Sequence, residues 1–352
     1  MKTLFVSVSI LLISCFFTFS SASGNDTGDI QAFNSNTGFY YTVQKGDTLW
    51  DLSQKFYSSE WDWPGLWELN NKIKNPHLIY PGQKLRVFFK GGLSLHNKPV
   101  YKKPANTQEE QAPIEVEVEK VEKVSIPEPE KKEIQLTFAY PFIDRVGFIK
   151  TKAITPVGKI LRSKMDNNDL MSEGDIIYVE AAKPDLLIPN TEYQIYKTKK
   201  IAFNRVRHSI KGIIKIIKKK QDYCVAKVIK TYVDINPGDL IMNFLKRDKE
   251  FIVKKNNEKI NAKLVCNDGD DSILGERQLV YMNLGQNDNI EPGQIYTIYK
   301  NLPKKRSAFA NKTIAIDPII TGKLIVVHTE DISSTALIFT NNQEIHPGDP
   351  VH

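Results

Sequence analysis

The hydrophobic and polar positions between residues 41 and 87 predict four short elements. A strand-like start, Tyr41-Thr42-Val43, precedes a stripe of apolar residues at helical spacing. Pro64 suits the first turn of a second helix, and Tyr80-Pro81-Gly82-Gln83 has the composition of a type II turn before a return strand. The stripe consists of Leu49, Leu52 and Phe56. The pattern therefore predicts a small module with the element order β-α-α-β.

A different pattern begins near Leu136. Short apolar or alternating runs, such as DIIYVEA, CVAKVIKTYV and TALIFT, are separated by Gly, Pro, Asn and Asp. Many brief strands divided by turn residues are typical of an all-β domain. The fold class that follows is a small α+β module joined by a flexible linker to an all-β C-terminal domain.

The predicted β domain repeats itself. Two pairs of segments within this region align with each other without gaps. In the first pair seven of 22 positions are identical, and in the second pair Ile-x-Pro-Gly-Asp recurs at the end of both segments. The aligned pairs are 176–197 with 279–300, at an offset of 103, and 211–241 with 321–351, at an offset of 110. Self-similarity over this length indicates two related copies of one structural unit.

The N-terminus has the three-part pattern of a secretory signal. Lys2 precedes an apolar run from Leu4 to Phe19, and small residues follow at 20–23. The run is shorter than the about 20 residues that a spanning helix needs. We predict cleavage after Ala22 or Ser23, and therefore export to the periplasm or cell envelope with no transmembrane segment in the mature chain.

Lipidation is the alternative for this N-terminus. Leu12-Ile13-Ser14-Cys15 is similar to a bacterial lipobox, in which Cys15 would carry the lipid. Phe16 and Phe17 continue the apolar run, however, where lipoproteins turn polar. Both interpretations predict an exported protein.

Composition completes the division of the chain. A polar, Gly- and Asn-rich stretch precedes the module, and an acidic, Pro-bounded stretch follows it, with too few apolar residues to form a core. The predicted segments are a signal peptide at 1–23, a disordered spacer at 24–38, the β-α-α-β module at 39–90, an acidic flexible linker at 91–134, and the β copies at 135–250 and 251–352.

The charge of the chain favours anionic partners without naming one. Its formal net charge is +7 over 352 residues, which suits wall polymers or lipid headgroups, and export argues against nucleic acid. The densest basic run is Lys211, Lys215 and 218–220. We interpret it as the solvated face of a strand, with a contact to anionic wall polymer or lipopolysaccharide as the alternative.

The residues of the module carry a specific resemblance. The stretch 39–90 resembles a LysM domain in the order and spacing of its two loop motifs. The matching residues are Tyr41-Thr42-Val43, Gly46-Asp47-Thr48-Leu49-Trp50, Leu69-Asn70, Asn75-Pro76, Leu78-Ile79 and Tyr80-Pro81-Gly82-Gln83-Lys84-Leu85. A Trp-rich joint between the helices, SSEWDWPG, departs from the family pattern.

The resemblance implies binding to glycans that contain N-acetylglucosamine, above all bacterial peptidoglycan. It places the groove between the first strand–helix loop and the second helix–strand loop. An N-acetyl sugar offers a methyl, an amide and hydroxyls, so exposed backbone groups beside apolar walls suit it. The implied walls are Gly46, Asp47, Thr48 and Leu49 on one side, and Asn75, Pro76, Leu78 and Ile79 on the other. We add Trp61 as a candidate for stacking on a sugar ring.

Asp47, Thr48 and the two remaining cysteines also have structural interpretations. Asp47 or Thr48 can cap the first helix. Cys224 and Cys266 are left after cleavage of the signal; they can form a disulfide in an oxidising compartment or serve as two buried thiols.

A search of the sequence for catalytic motifs gives none. The histidines form no compact zinc spacing, no Gly-x-Ser-x-Gly elbow occurs, and Cys224 lies in an apolar run that disfavours a reactive thiolate. We therefore predict no catalytic residue, no metal and no cofactor. The six histidines are His77, His96, His208, His328, His346 and His352.

The sequence thus favours a non-catalytic peptidoglycan-binding protein that anchors a β-rich scaffold or interaction domain to the wall. Carboxylate pairs need only proximity in space, so a wall hydrolase with an unrecognised site in 135–352 is one alternative. An assembly factor that binds an envelope protein partner through 135–352 is the other.

Overall fold

A computed structural model describes residues 36–87, 135–165, 170–202, 204–254, 259–307 and 312–352. The predicted signal peptide, Cys15, most of the spacer and the predicted linker lie outside the described residues.

The N-terminal module has the predicted β-α-α-β order. Thr48 begins the first helix, Pro64 lies in the first turn of the second, and the interior is formed by fully buried side chains. Those side chains are Tyr41, Leu52, Leu66 and Leu85. The elements are β1 (Gly38–Thr42), α1 (Leu49–Tyr57), α2 (Trp63–Glu68) and β2 (Lys84–Val87), with a 3₁₀ turn at Glu60–Asp62 before α2.

The module shares its sheet with the C-terminal region. Strands β3 (Leu136–Ala139) and β11 (Glu250–Ile252) extend it in the antiparallel order β11-β3-β1-β2. Phe39 in β1 packs on Phe138 in β3, at 4.9 Å between ring centroids, and on Phe339 at 5.0 Å. Lys84 forms an exposed ion pair with Glu250 across the same sheet. Because β1 is an interior strand, the module is built into the larger structure.

The first β copy is a six-stranded antiparallel ring with one added strand. Around the ring the order is β5-β6-β9-β8-β7-β10, and β10 closes it by pairing with β5, while β4 pairs with the outer end of β8. The strands are β4 (Phe148–Lys150), β5 (Gly158–Ser163), β6 (Ile176–Ala181), β7 (Glu192–Ile201), β8 (Arg205–Lys219), β9 (Cys224–Thr231) and β10 (Leu240–Asn243).

The second copy is a closed barrel with the same connectivity. Its ring order is β12-β13-β18-β17-β14-β19, which is the order of the first copy when the strands are matched along the chain. The strands are β12 (Ala262–Asn267), β13 (Leu279–Met282), β14 (Ile295–Lys300), β17 (Ile319–Glu330), β18 (Ser333–Asn341) and β19 (Pro350–Val351), with a hairpin of β15 (Lys305–Arg306) and β16 (Thr313–Ile314) between β14 and β17. The predicted all-β region of two related copies is confirmed.

One recurring glycine shows how closely the two copies agree. A Cβ atom on Gly212 would lie 2.5 Å from the Lys230 carbonyl oxygen and 2.9 Å from Ile235 Cδ1. On Gly322 it would lie at the same two distances from Thr340 O and Ile345 Cδ1. Both glycines are therefore required by the close approach of the neighbouring strand.

The basic run of the first copy differs from its prediction at Lys211 and, in part, at Lys215, which is half-buried. Lys218–Lys220 are exposed, as a solvated strand face requires, but Lys211 is buried and its Nζ lies 2.6 Å from Asp239 Oδ2. The same Asp239 oxygen accepts from the Asn236 N–H. The prediction of a solvent-facing Lys211 is therefore wrong, because this pairing compensates the buried charge.

The two copies contact each other through polar groups. Ser333 Oγ and Thr335 Oγ1 donate to the Ile149 and Gly147 carbonyl oxygens, at 2.7 and 2.8 Å. The buried Arg207 donates to Asp270, and this hydrogen bond lowers the pKa of that carboxyl to about 2. Hydrogen bonds of this kind fix one relative placement of the copies.

We expect Gly322→Ala to destabilise the protein by about 1–3 kcal/mol, because the added methyl overlaps the backbone of β18. Denaturant unfolding of the full chain measures this effect. Gly275→Ala is the matched control, since no atom lies within 4 Å of its added Cβ, and it should change stability by less than about 0.5 kcal/mol. Equal stabilities for the two variants would contradict the packing described here.

Candidate functional site

The two loops singled out in the sequence leave the same end of the β1–β2 ladder. Thr42, at the end of β1, is paired with Lys84, at the start of β2. Beyond that pair, Val43 N–H donates to Gln83 O at 2.9 Å, and Gly82 N–H donates to Val43 O at 2.8 Å. The topology therefore brings the loop after β1 and the loop before β2 to one edge of the module.

Asp47 organises the first loop. Its Oδ2 accepts from the Gln44 N–H and from the Tyr41 hydroxyl, each at 2.7 Å. Burial, reinforced by the hydrogen bond to Asp47, raises the pKa of Tyr41 above its usual range. Gly46 has a φ of +95° and open space around its α-carbon, so a ligand can approach the backbone at this turn.

Thr48, and not Asp47, is the residue that caps α1. Its Oγ1 accepts from the Asp51 N–H at 3.1 Å and donates to the Asp51 carboxylate at 2.7 Å. In an α-helix the N–H groups of Leu49 and Trp50 have no partner within the helix. The Leu49 side chain is buried, so only the backbone of this residue can face a ligand.

The second loop presents an apolar side chain on a fixed turn. Asn75 Oδ1 accepts from the His77 N–H, and its carbonyl oxygen accepts from the Leu78 N–H, both at 3.0 Å. Leu78 is 52% exposed, whereas Pro76 and Ile79 are half-buried. Asn75 thus has a structural role in the turn, and Leu78 is the apolar side chain of this wall that is open to solvent.

The Trp-rich joint reaches both loops. Trp61 is 65% exposed and contacts Trp50, the residue after the first loop, with ring centroids 4.9 Å apart and nearly perpendicular rings. Trp63 contacts His77 of the second loop at 6.4 Å. Trp67 donates its indole N–H to Ile73 O, which assigns it to the structure of the module. The exposed tryptophan surface is therefore the Trp50–Trp61 pair.

The sequence interpretation singled out Trp61, and not Trp50, as the exposed ring of this surface. Trp50 follows the buried Leu49 and falls off the stripe of Leu49, Leu52 and Phe56, so helical periodicity alone predicts that it is exposed. What the sequence did not indicate was its contact with Trp61.

Other candidate chemistry in the described residues is limited. No group of three or more His, Cys, Asp or Glu side chains in that part of the chain is placed to hold a metal ion. Cys224 and Cys266 are free thiols, and burial raises the pKa of each, which disfavours a reactive thiolate. No helix within the described ranges is both long enough and apolar enough to cross a membrane.

Comparison with known families identifies the module. The family model named LysM domain matches residues 41–88, the stretch that carries both loops. This part of the chain is a LysM domain. The match covers a small fraction of the 352 residues and contains every candidate glycan-binding residue.

Two relatives share short stretches of sequence with the chain. YqbP, an uncharacterized protein of Bacillus subtilis strain 168, is 47% identical over 57 residues, covering 13% of this chain and 26% of YqbP. An uncharacterized protein of Deinococcus radiodurans is 39% identical over 62 residues, covering 18% of this chain and 21% of that protein. The similarity therefore spans about a quarter of each relative.

We expect Thr48→Ala to cost about 1 kcal/mol of stability, because the first turn of α1 loses its side-chain acceptor. Thr48→Ser keeps the hydroxyl and should stay close to the parent protein. Thermal unfolding of the two full-length variants measures the difference. If alanine and serine behave alike, Thr48 is not the cap that stabilises this loop.

Proposed function

We propose that this protein is a non-catalytic, peptidoglycan-binding component of the bacterial cell envelope. The observation that carries the proposal is the LysM domain, whose two loops leave one end of the β1–β2 ladder. The ligand class is a glycan containing N-acetylglucosamine.

The groups at the loops suit the chemistry of an acetylated amino sugar. The N–H groups of Leu49 and Trp50 can donate to an acetamide carbonyl or a hydroxyl, and Gly46 permits close approach of the sugar. The exposed Leu78 offers an apolar surface for the acetyl methyl. An interaction of this kind needs both hydrogen-bond donors and an apolar wall.

The proposed setting follows from the N-terminal sequence and the ligand. Cleavage after Ala22 or Ser23 would place the mature chain in the periplasm or cell envelope, and lipidation of Cys15 would instead make it a lipoprotein. In either case the LysM domain anchors the β-rich region to the wall. That region is proposed to act as a scaffold or a surface for an envelope partner.

A single shallow site is expected to bind weakly, because the loss of translational and rotational freedom offsets much of the contact energy. The repetitive wall compensates by offering many identical sites along one polymer, so that rebinding follows dissociation. Retention on the wall therefore needs only a modest affinity for each glycan segment.

The proposal predicts that Leu78→Asp weakens retention on purified sacculi about tenfold, because a charge replaces the apolar contact. The full exported chain is used, since removing the domain would also strip β1 from β3. Leu245→Asp is the matched control, as Leu245 is 73% exposed in the C-terminal region, and it should bind like the parent. Equal retention of all three proteins would contradict the proposed groove. Release of muropeptides in the same assay would instead indicate a hydrolase.

A second prediction concerns Trp61. We expect Trp61→Ala to weaken binding to chitin oligosaccharides by about 1 kcal/mol, because an exposed ring face is lost, while Trp61→Phe retains part of the affinity. Titration followed by tryptophan fluorescence provides the measurement. Unchanged affinity of the alanine variant would remove Trp61 from the site and leave the loops unaffected.

A further inference from the structure

The two β copies differ in the length of the connection between their third and fourth strands. In the first copy, residues 198–210 connect the aligned segments, and in the second copy residues 301–320 do so, which is seven residues more. The additional length forms β15 and β16. We call the described residues 301–307 and 312–320 the basic hairpin.

In the first copy, the corresponding surface is covered. Strand β4 pairs with the outer end of β8, with Phe148 opposite His208. Ile210 is therefore 3% exposed and packs with Phe148, Tyr196 and Met242. The equivalent of Ile210 at the offset of 110 is Ile320, which is 46% exposed.

In the second copy, the strand that corresponds to β4 does not lie beside the barrel. At the offset of 103, the Phe148-Ile149 pair of β4 corresponds to Phe251-Ile252 of β11. Strand β11 pairs with β3 in the sheet of the LysM domain. Among the described residues, no strand takes beside β17 the place that β4 takes beside β8. The counterpart of β4 is thus paired with β3, which in turn pairs with LysM strand β1, and within the described residues no strand covers the basic hairpin.

The exposed surface combines apolar and cationic side chains with one carboxylate, that of Asp317. Every residue from Lys312 to Ile320 is exposed, including four isoleucines. These are Ile314 at 45%, Ile316 at 43%, Ile319 at 37% and Ile320 at 46%. So many exposed isoleucines within seven residues mark an interaction surface.

The cations also differ between the copies. In the first copy Lys199 and Arg207 of the β7–β8 hairpin form ion pairs with Asp270. In the second copy Lys304, Lys305 and Lys312 have no carboxylate of the described residues within ion-pair distance. Lys305 lies directly opposite Ile314 in the β15–β16 pairing, so a cationic and an apolar residue are neighbours on the two strands of the hairpin.

We propose that the basic hairpin binds the surface of an anionic phospholipid bilayer. Lysine ammonium groups pair with lipid phosphates, while isoleucine side chains enter the boundary between headgroups and acyl chains. The exposed stretch from Lys312 to Ile320 suits the broad, deformable surface of a bilayer. A peptide ligand would instead need a concave groove on the protein. Charge complementarity favours an anionic bilayer over a neutral one.

The experiment is co-sedimentation of the chain from residue 24 onward with phosphatidylglycerol vesicles, and separately with phosphatidylcholine vesicles. We expect binding to the anionic vesicles that weakens as salt rises. Lys304→Glu with Lys305→Glu should reduce the partition coefficient on the order of 100-fold. Ile314→Ser with Ile316→Ser should reduce it about tenfold, because less apolar surface enters the lipid.

The matched control is Lys218→Glu with Lys220→Glu, which makes the same charge change on exposed lysines of the first copy. This variant should keep the binding of the parent to within a factor of about three, since its lysines lie outside the basic hairpin. Circular dichroism of each variant confirms that the β structure is intact. Leu78→Asp should leave vesicle binding unchanged, which separates this inference from the glycan site.

Three outcomes would overturn the proposal. The first is no binding of the parent chain to phosphatidylglycerol vesicles. The second is an equal loss of binding in the control and in the hairpin variants, which would indicate an effect of net charge alone. The third is a concentration-dependent oligomer in analytical ultracentrifugation that the isoleucine variant dissociates while vesicle binding persists. That result would assign the surface to a second copy of the chain.

Discussion

Strand β1 is the constraint on which the rest of the arrangement depends. Each of its residues from Gly38 to Tyr41 is paired with β3, and Phe39 to Thr42 are paired with β2. The backbone hydrogen bonds on both sides of the strand are therefore satisfied within one sheet. The start of the first loop follows from this strand, because the loop begins where the β1–β2 ladder ends.

The same constraint explains the asymmetry of the two β copies. They share ring connectivity, recurring glycines and the Pro-Gly-Asp turn, yet β4 of one copy pairs beside its own barrel, whereas β11 of the other pairs with β3 in the sheet that contains the LysM strands. A strand can hydrogen-bond to only one neighbour on each edge. With β11 paired to β3, a surface of the second barrel is left open at the basic hairpin.

Much of this could be predicted from sequence because the signals are local. The turn at Tyr80–Gln83, the helical stripe of α1 and the repeat of the β unit each depend on neighbouring positions or direct self-comparison. The pairing of Phe39 with Phe138 could not be predicted, since 99 residues separate the two and periodicity carries no information on partners. The prediction for Lys211 failed because strand alternation cannot show that a distant carboxylate, that of Asp239, is buried beside this lysine and pairs with it.

The edges of the shared sheet have a consequence for solubility. In the described part of the chain, β2 and β11 are the outer strands of this sheet, and they are four and three residues long. Lys84, Arg86 and Glu250 place charges along those margins. Short, charged margins resist the addition of foreign strands, so molecules at high local concentration can remain separate instead of joining into fibrils.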